Sequence, residues 1–140
     1  MEGIDKRYES LLQALASLKE ILTLIENYPL RDDAIFYAVF RDSLIQRFEY
    51  SFDTFWKFLK LYLEKTEKLT LDGHSPRNIF KTAEMSGVLL NLENYKILTK
   101  ALSSRNLTSH SYNVQIADII TLNIPLYYQT MHTIATSIKL

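Results

Sequence analysis

The stretch Ile45-Gln46-Arg47-Phe48-Glu49-Tyr50-Ser51-Phe52-Asp53-Thr54-Phe55-Trp56-Lys57-Phe58-Leu59-Lys60-Leu61-Tyr62 decides the fold class. Ile45, Phe48, Phe52, Phe55, Leu59 and Tyr62 recur at alternating intervals of three and four. At 3.6 residues per turn that spacing draws one apolar stripe along a helix. The stripe is mostly aromatic, so this helix should line the thickest part of the core. The pattern predicts a helix from about Asp33 to Lys65. Its first turns, Ala34-Ile35-Phe36-Tyr37-Ala38-Val39-Phe40, are apolar on nearly every side and call for a second neighbour, such as another subunit.

Upstream, Tyr8, Leu11, Leu15, Leu18, Leu22 and Ile25 carry the same spacing and predict a helix from about Asp5 to Asn27. Tyr28-Pro29 should stop it, because proline disfavours helix at the residue before it. Asp32 or Asp33 can cap the second helix. Downstream, Lys65 to Ser75 reads as a loop with an Asp72-Gly73 turn. Ser75-Pro76 opens a third helix, Pro76 to Met85, which breaks at Gly87. A fourth is expected over Asn91 to Ser104, with Leu92, Tyr95, Leu98 and Leu102 inward. A fifth runs from about Asn113 to Ile138, bent near Pro125. Facing stripes of this kind build an all-α, up-and-down antiparallel bundle of four to five helices. We expect residues 1–140 to form a single domain of this kind.

Composition narrows the chemistry. The 140 residues include 47% hydrophobic residues, three glycines, three prolines and no cysteine. Cysteine-free chains have no disulfide framework, thiolate nucleophile or cysteine zinc site. His74 and His132 stand without metal-ligand spacing, so no metal and no cofactor are expected. The opening residues lack a signal-peptide hydrophobic region, and the weakly charged run Val114 to Ile138 holds Asp118, Asn123, Pro125, Gln129 and His132. A cytoplasmic protein with no membrane span is therefore expected. Net charge is zero, yet residues 1–74 hold 10 Lys/Arg against 13 Asp/Glu, and residues 75–140 hold 6 against 3. Binding to nucleic acid is driven by phosphate neutralisation, so RNA contact should be local or use a dimer that doubles the basic patch.

That more basic half contains Arg105-Asn106-Leu107-Thr108-Ser109-His110-Ser111-Tyr112. The stretch reads as a polar junction between helices. An arginine five residues before a histidine can pair a phosphate clamp with a group that moves protons near neutral pH. On spacing alone, Arg105 can equally cap the carbonyls ending one helix while His110 starts the next. Thr108, Ser109 and Ser111 lack the glycines of a nucleophile elbow, which argues against a hydrolase triad.

The Arg-x4-His-x-Tyr pattern resembles the signature of the HEPN ribonuclease superfamily, and of its HepT toxins in particular. Two further blocks agree: Arg41-Asp42-Ser43-Leu44-Ile45-Gln46-Arg47-Phe48-Glu49-Tyr50 and Ser75-Pro76-Arg77. HepT-like proteins are also described as the substrate-binding partner of a minimal nucleotidyltransferase. The resemblance implies a homodimeric, metal-independent endoribonuclease toxin acting on RNA, neutralised by a cognate minimal nucleotidyltransferase. It places Arg105 on the scissile phosphate, His110 in proton transfer and Asn106 in support. Tyr112 then matches the residue to which the partner attaches AMP. Arg41, Arg47 and Arg77 become candidates for RNA or partner contact; the plainer reading of Arg41, Arg47, Glu49 and Asp53 is surface or bundle-internal ion pairs, Asp53 with Lys57 among them. Asn113-Val114-Gln115 lacks an acidic residue often found after the tyrosine in that family. The alternative function is a non-catalytic partner subunit of the nucleotidyltransferase.

Overall fold

The computed structural model describes residues 2–27, 33–71, 73–89, 91–110 and 113–140, without the side chains of residues 2, 109 and 110. Five helices follow in order: α1 Glu2–Asn27, α2 Ala34–Lys65, α3 Pro76–Met85, α4 Leu92–His110 and α5 Val114–Ser137. The expected all-α bundle is what the chain forms, and the described residues contain no strand.

Helix α2 is the hub and packs against each of the other four. Its 32 residues make a rod of about 48 Å at 1.5 Å per residue. Phe48, Phe52, Phe55 and Leu59 are fully enclosed, and Ile45 and Tyr62 nearly so. Phe52 meets Phe80 of α3 edge-on at 5.9 Å, and Phe48 meets Tyr127 of α5 at 5.4 Å. Each such pair contributes about 0.5–1.5 kcal/mol beyond the area it buries. Leu11, Leu15 and Leu18 of α1 close the opposite side of this core.

Local chemistry sets the helix ends. The Asp33 side chain accepts from the backbone N–H of Ile35 and Phe36, the Ser75 hydroxyl accepts from Asn78, and Asn113 accepts from Gln115 and Ile116. Asn91 and Asn94 exchange side-chain to backbone bonds at 2.9 and 3.1 Å, a reciprocal cap before α4. Past α3, Gly87 takes φ +83°, a left-handed turn that costs glycine little. Three expectations, the stop at Tyr28-Pro29, a cap at Asp32 and the turn residue Asp72, lie outside the described residues.

One boundary differs clearly from expectation. Helix α4 does not end at Ser104: it continues through Arg105 and Thr108 to His110, so most of the polar stretch is helix and not junction. The Thr108 hydroxyl there bonds backwards to the Arg105 carbonyl at 2.9 Å, which keeps it satisfied inside a helix. Helix α5 spans Val114–Ser137 with Pro125 inside it, as the sequence predicts.

Candidate functional site

Glu49 and Asp53 stand one turn apart on α2. Like charges at that spacing repel on an isolated helix, so the pair implies a cation between them. Arg105 of α4 is that cation. Its Nε and Nη2 donate to Asp53 Oδ1 and Oδ2 at 3.2 and 2.9 Å, and its Nη1 donates to Glu49 Oε2 at 2.5 Å. A bidentate fork plus a third bond fixes the plane of the guanidinium as well as its position. Thr108, one turn along α4, brings its hydroxyl within 3.1 Å of the same Glu49 oxygen. The hydrogen bond from Asp53 foremost, with the charges of both carboxylates, raises the Arg105 pKa further and outweighs partial burial. The arginine is thus held ionised and aimed from α2, and does not cap the end of α4.

Beside this cluster lies a pocket of about 170 Å³, where α2, the end of α4 and the start of α5 meet. Ile45, Leu107, Ile116, Ala117 and Ile120 supply its apolar walls. Asp42, Gln46, Glu49, Thr108 and Asn113 supply its polar ones. Glu49 belongs to both pocket and arginine cluster, so the two form one site.

The remaining candidates scatter. Arg41 is 8% exposed, not a surface charge. It is paired with Asp42 and with Asp118 of α5 at 3.4 Å each, under the Tyr37 ring at 5.7 Å. Tyr37 donates to the same Asp118 oxygen at 3.0 Å. Burial, then this hydrogen bond, raises the Tyr37 pKa. Arg47 points to α1, donating to the Ser17 carbonyl at 2.8 Å. Arg77 is exposed on the first turn of α3, and Asn106 is exposed on α4. The backbone of His110 is the last residue of α4, about 7.5 Å along the axis from Arg105. The His110 side chain, with Ser111 and Tyr112, lies outside the described residues. Sequence reasoning overlooked the service of Glu49 and Asp53 to Arg105, although their one-turn spacing was the signal. It assigned Asp53 to Lys57, and the fold assigns it to Arg105.

Fold and site together define a helical bundle with an arginine held against Glu49 beside a small pocket. The sequence model of the family described as "Nucleotidyltransferase substrate binding protein like" matches residues 6–139, and the chain belongs to that family. A crystal structure of a protein from Thermus thermophilus is similar, with a TM-score of 0.75 and 35% sequence identity over 91% of this chain and 97% of that one. No curated protein matches the chain. The family description links its members to a nucleotidyltransferase. No helix among the described residues is long and apolar enough to cross a membrane.

Proposed function

We propose that this protein is a metal-independent endoribonuclease of the HepT kind, active as a homodimer and neutralised by a minimal nucleotidyltransferase. The observation that carries the reading is Arg105, held ionised by α2 against a carboxylate that lines the neighbouring pocket, five residues before His110. A fixed guanidinium is a stabiliser for charge that builds on a phosphate in the transition state.

In the reaction, one His110 takes the proton of a ribose 2′-hydroxyl as the O2′–phosphorus bond forms. The phosphorus–O5′ bond breaks, and a second proton donor supplies the leaving 5′-oxygen. A single histidine cannot fill both roles in one step. A two-fold dimer brings a second Arg105/His110 pair to the cleft. Asn106 orients the phosphate or the histidine. AMP on Tyr112, two residues from His110, would block RNA by charge and bulk. That is the expected route of inhibition by the nucleotidyltransferase.

The dimer surface follows from exposure. Ile35, Phe36 and Val39 of α2 and Ile119, Leu122 and Leu126 of α5 are all exposed. Tyr37, Arg41 and Asp118 tie these two helix faces side by side. A contiguous apolar surface of this kind marks an interface, and a two-fold pairing is the common solution in small proteins.

A specific observation favours a second reading, a non-catalytic partner subunit. Glu49 and Asp53 already engage Arg105, and an RNA phosphate must share or displace them. The deciding experiment is RNA cleavage by purified protein in EDTA, alongside His110→Ala and Arg105→Ala. We expect wild-type cleavage to survive the chelator and both variants to lose at least about a hundredfold, the usual scale for a proton-transfer group or a charge stabiliser. An inactive wild type whose intact mass excludes AMP would leave the partner-subunit reading.

A further inference from the structure

The pocket beside Arg105 has a shape and a polarity that the cleavage chemistry alone does not use. At about 170 Å³ it is below the roughly 300–1,000 Å³ of sites for drug-sized ligands. It therefore suits one ring system and not a whole nucleotide. Its walls from Ile45, Ile116, Ala117 and Ile120 are aliphatic, a surface for a flat apolar face.

Its polar rim is uneven. Glu49 Oε2 is occupied by Arg105 and Thr108, while Glu49 Oε1 makes no hydrogen bond among the described residues. The Gln46 carboxamide, also on the rim, makes none there either. Asn113 spends its carbonyl oxygen on the cap of α5, so its Nδ2 donor remains. A charged acceptor, an amide that offers one donor and one acceptor, and a further donor are thus presented around an apolar slot. Donor and acceptor side by side match the edge of a heterocycle bearing an exocyclic amine next to a ring nitrogen. With only one oxygen left, Glu49 can take an amine but cannot make the paired contact that reads guanine's N1–H and amine together.

We infer that this slot binds a single nucleobase with an exocyclic amine, adenine or cytosine, with Glu49 accepting from the amine and Gln46 reading the adjacent ring nitrogen. Resting on the nuclease reading, the base belongs to a nucleotide flanking the phosphate held by Arg105. Unstacked bases in single-stranded RNA are read in this way, on their Watson–Crick edges in small pockets. Uracil presents a carbonyl where the amine should be, directly toward a carboxylate. The enzyme should then prefer A- or C-containing sites.

The test separates the slot from the chemistry by using nucleosides, which carry no phosphate. Methyl-labelled wild-type protein is titrated with adenosine, cytidine and uridine by NMR, following Ile45, Ile116, Ala117 and Ile120. Adenosine and cytidine should shift these methyls, with uridine at least about fivefold weaker. Gln46→Ala, an exposed site whose loss spares the core, should weaken adenosine by about three- to tenfold, the scale of one hydrogen bond. Ala117→Leu, which fills the slot, should abolish the shifts. Equal response to uridine, or no shift at any of these methyls, overturns the inference. A parallel titration with AMP and with oligo(A) distinguishes a free nucleotide from an RNA strand as the source of the base. Tighter binding of the oligomer supports the inference, and tighter binding of AMP overturns the RNA assignment. Cleavage of RNA with no nucleoside response would retain the nuclease and remove the slot. Nucleoside response without cleavage would do the reverse.

Discussion

Phe36 and Phe52 lie on the same helix, yet 56% of the first is exposed and none of the second. Phe52 sits in the core cluster against Phe48 of its own helix and Phe80 of α3, and every aromatic of the stripe finds an aromatic partner. Near Phe36, Tyr37 and Arg41 tie α2 to Asp118 of α5, yet Ile35 reaches 77% exposure and Leu122 81%. Both segments are apolar in composition. Their difference lies in how fully the described helices cover them, a property of topology that no local pattern encodes. The surplus of apolar surface at this end of the bundle is the face proposed above as the dimer interface.

The largest effect that should separate the two regions is a truncation in the core. Phe52→Ala should lower unfolding free energy by about 3–5 kcal/mol, since the void cannot be filled by a neighbour already at full packing. Phe36→Ala should stay within about 0.5 kcal/mol when measured on isolated protomers. Urea titration at low protein concentration reads both. Comparable losses would mean that the end of α2 is packed within one chain and that the contrast is wrong.

An intermediate effect tests the polar face of the same helix. Residues Glu49 and Asp53 are neighbours of Phe48 and Phe52 in sequence but turn toward Arg105. A double-mutant cycle with Asp53→Ala and Arg105→Ala should give a coupling of about 1 kcal/mol, the upper end for partly exposed pairs, because the contact is bidentate. The guanidinium stays charged at all ordinary pH, its pKa being raised. Zero coupling at pH 7 would mean that α2 does not hold Arg105.

These two faces also explain what was legible in advance. The stripe from Ile45 to Tyr62 and the caps at Asp33 and Ser75 depend on spacing and on short side chains near their own backbone, both visible in one dimension. The pairing of Asp53 with Arg105, and of Arg41 with Asp118, joins residues far apart in the chain. Their identity depends on which helix faces which. The end of α4 was misplaced because Ser103, Ser104, Thr108 and Ser109 resemble a loop in composition. In place, Ser104 shares a hydrogen bond with the buried Tyr127 hydroxyl at 2.9 Å, a tertiary contact that secures the helix where propensity alone does not. The arginine of the motif was recognised through its resemblance, and its carboxylate partners were not, because the resemblance named reacting groups and not what positions them.

The smallest effect on stability is expected where the effect on assembly should be greatest. Leu122→Asp places a carboxylate at the most exposed apolar position of α5, where the isolated protomer loses no buried contact. Protomer stability should change by no more than about 0.5 kcal/mol. If the face formed by α2 and α5 is the dimer interface, burying that charge without a partner should push the equilibrium to monomer, read as a halving of mass by light scattering. On the proposed nuclease reading cleavage should fall with it, because a shared cleft needs both copies. A variant that stays dimeric would place the interface elsewhere. A monomer that still cleaves RNA at the wild-type rate would show that one Arg105/His110 pair suffices, and the need for a second histidine would go with it.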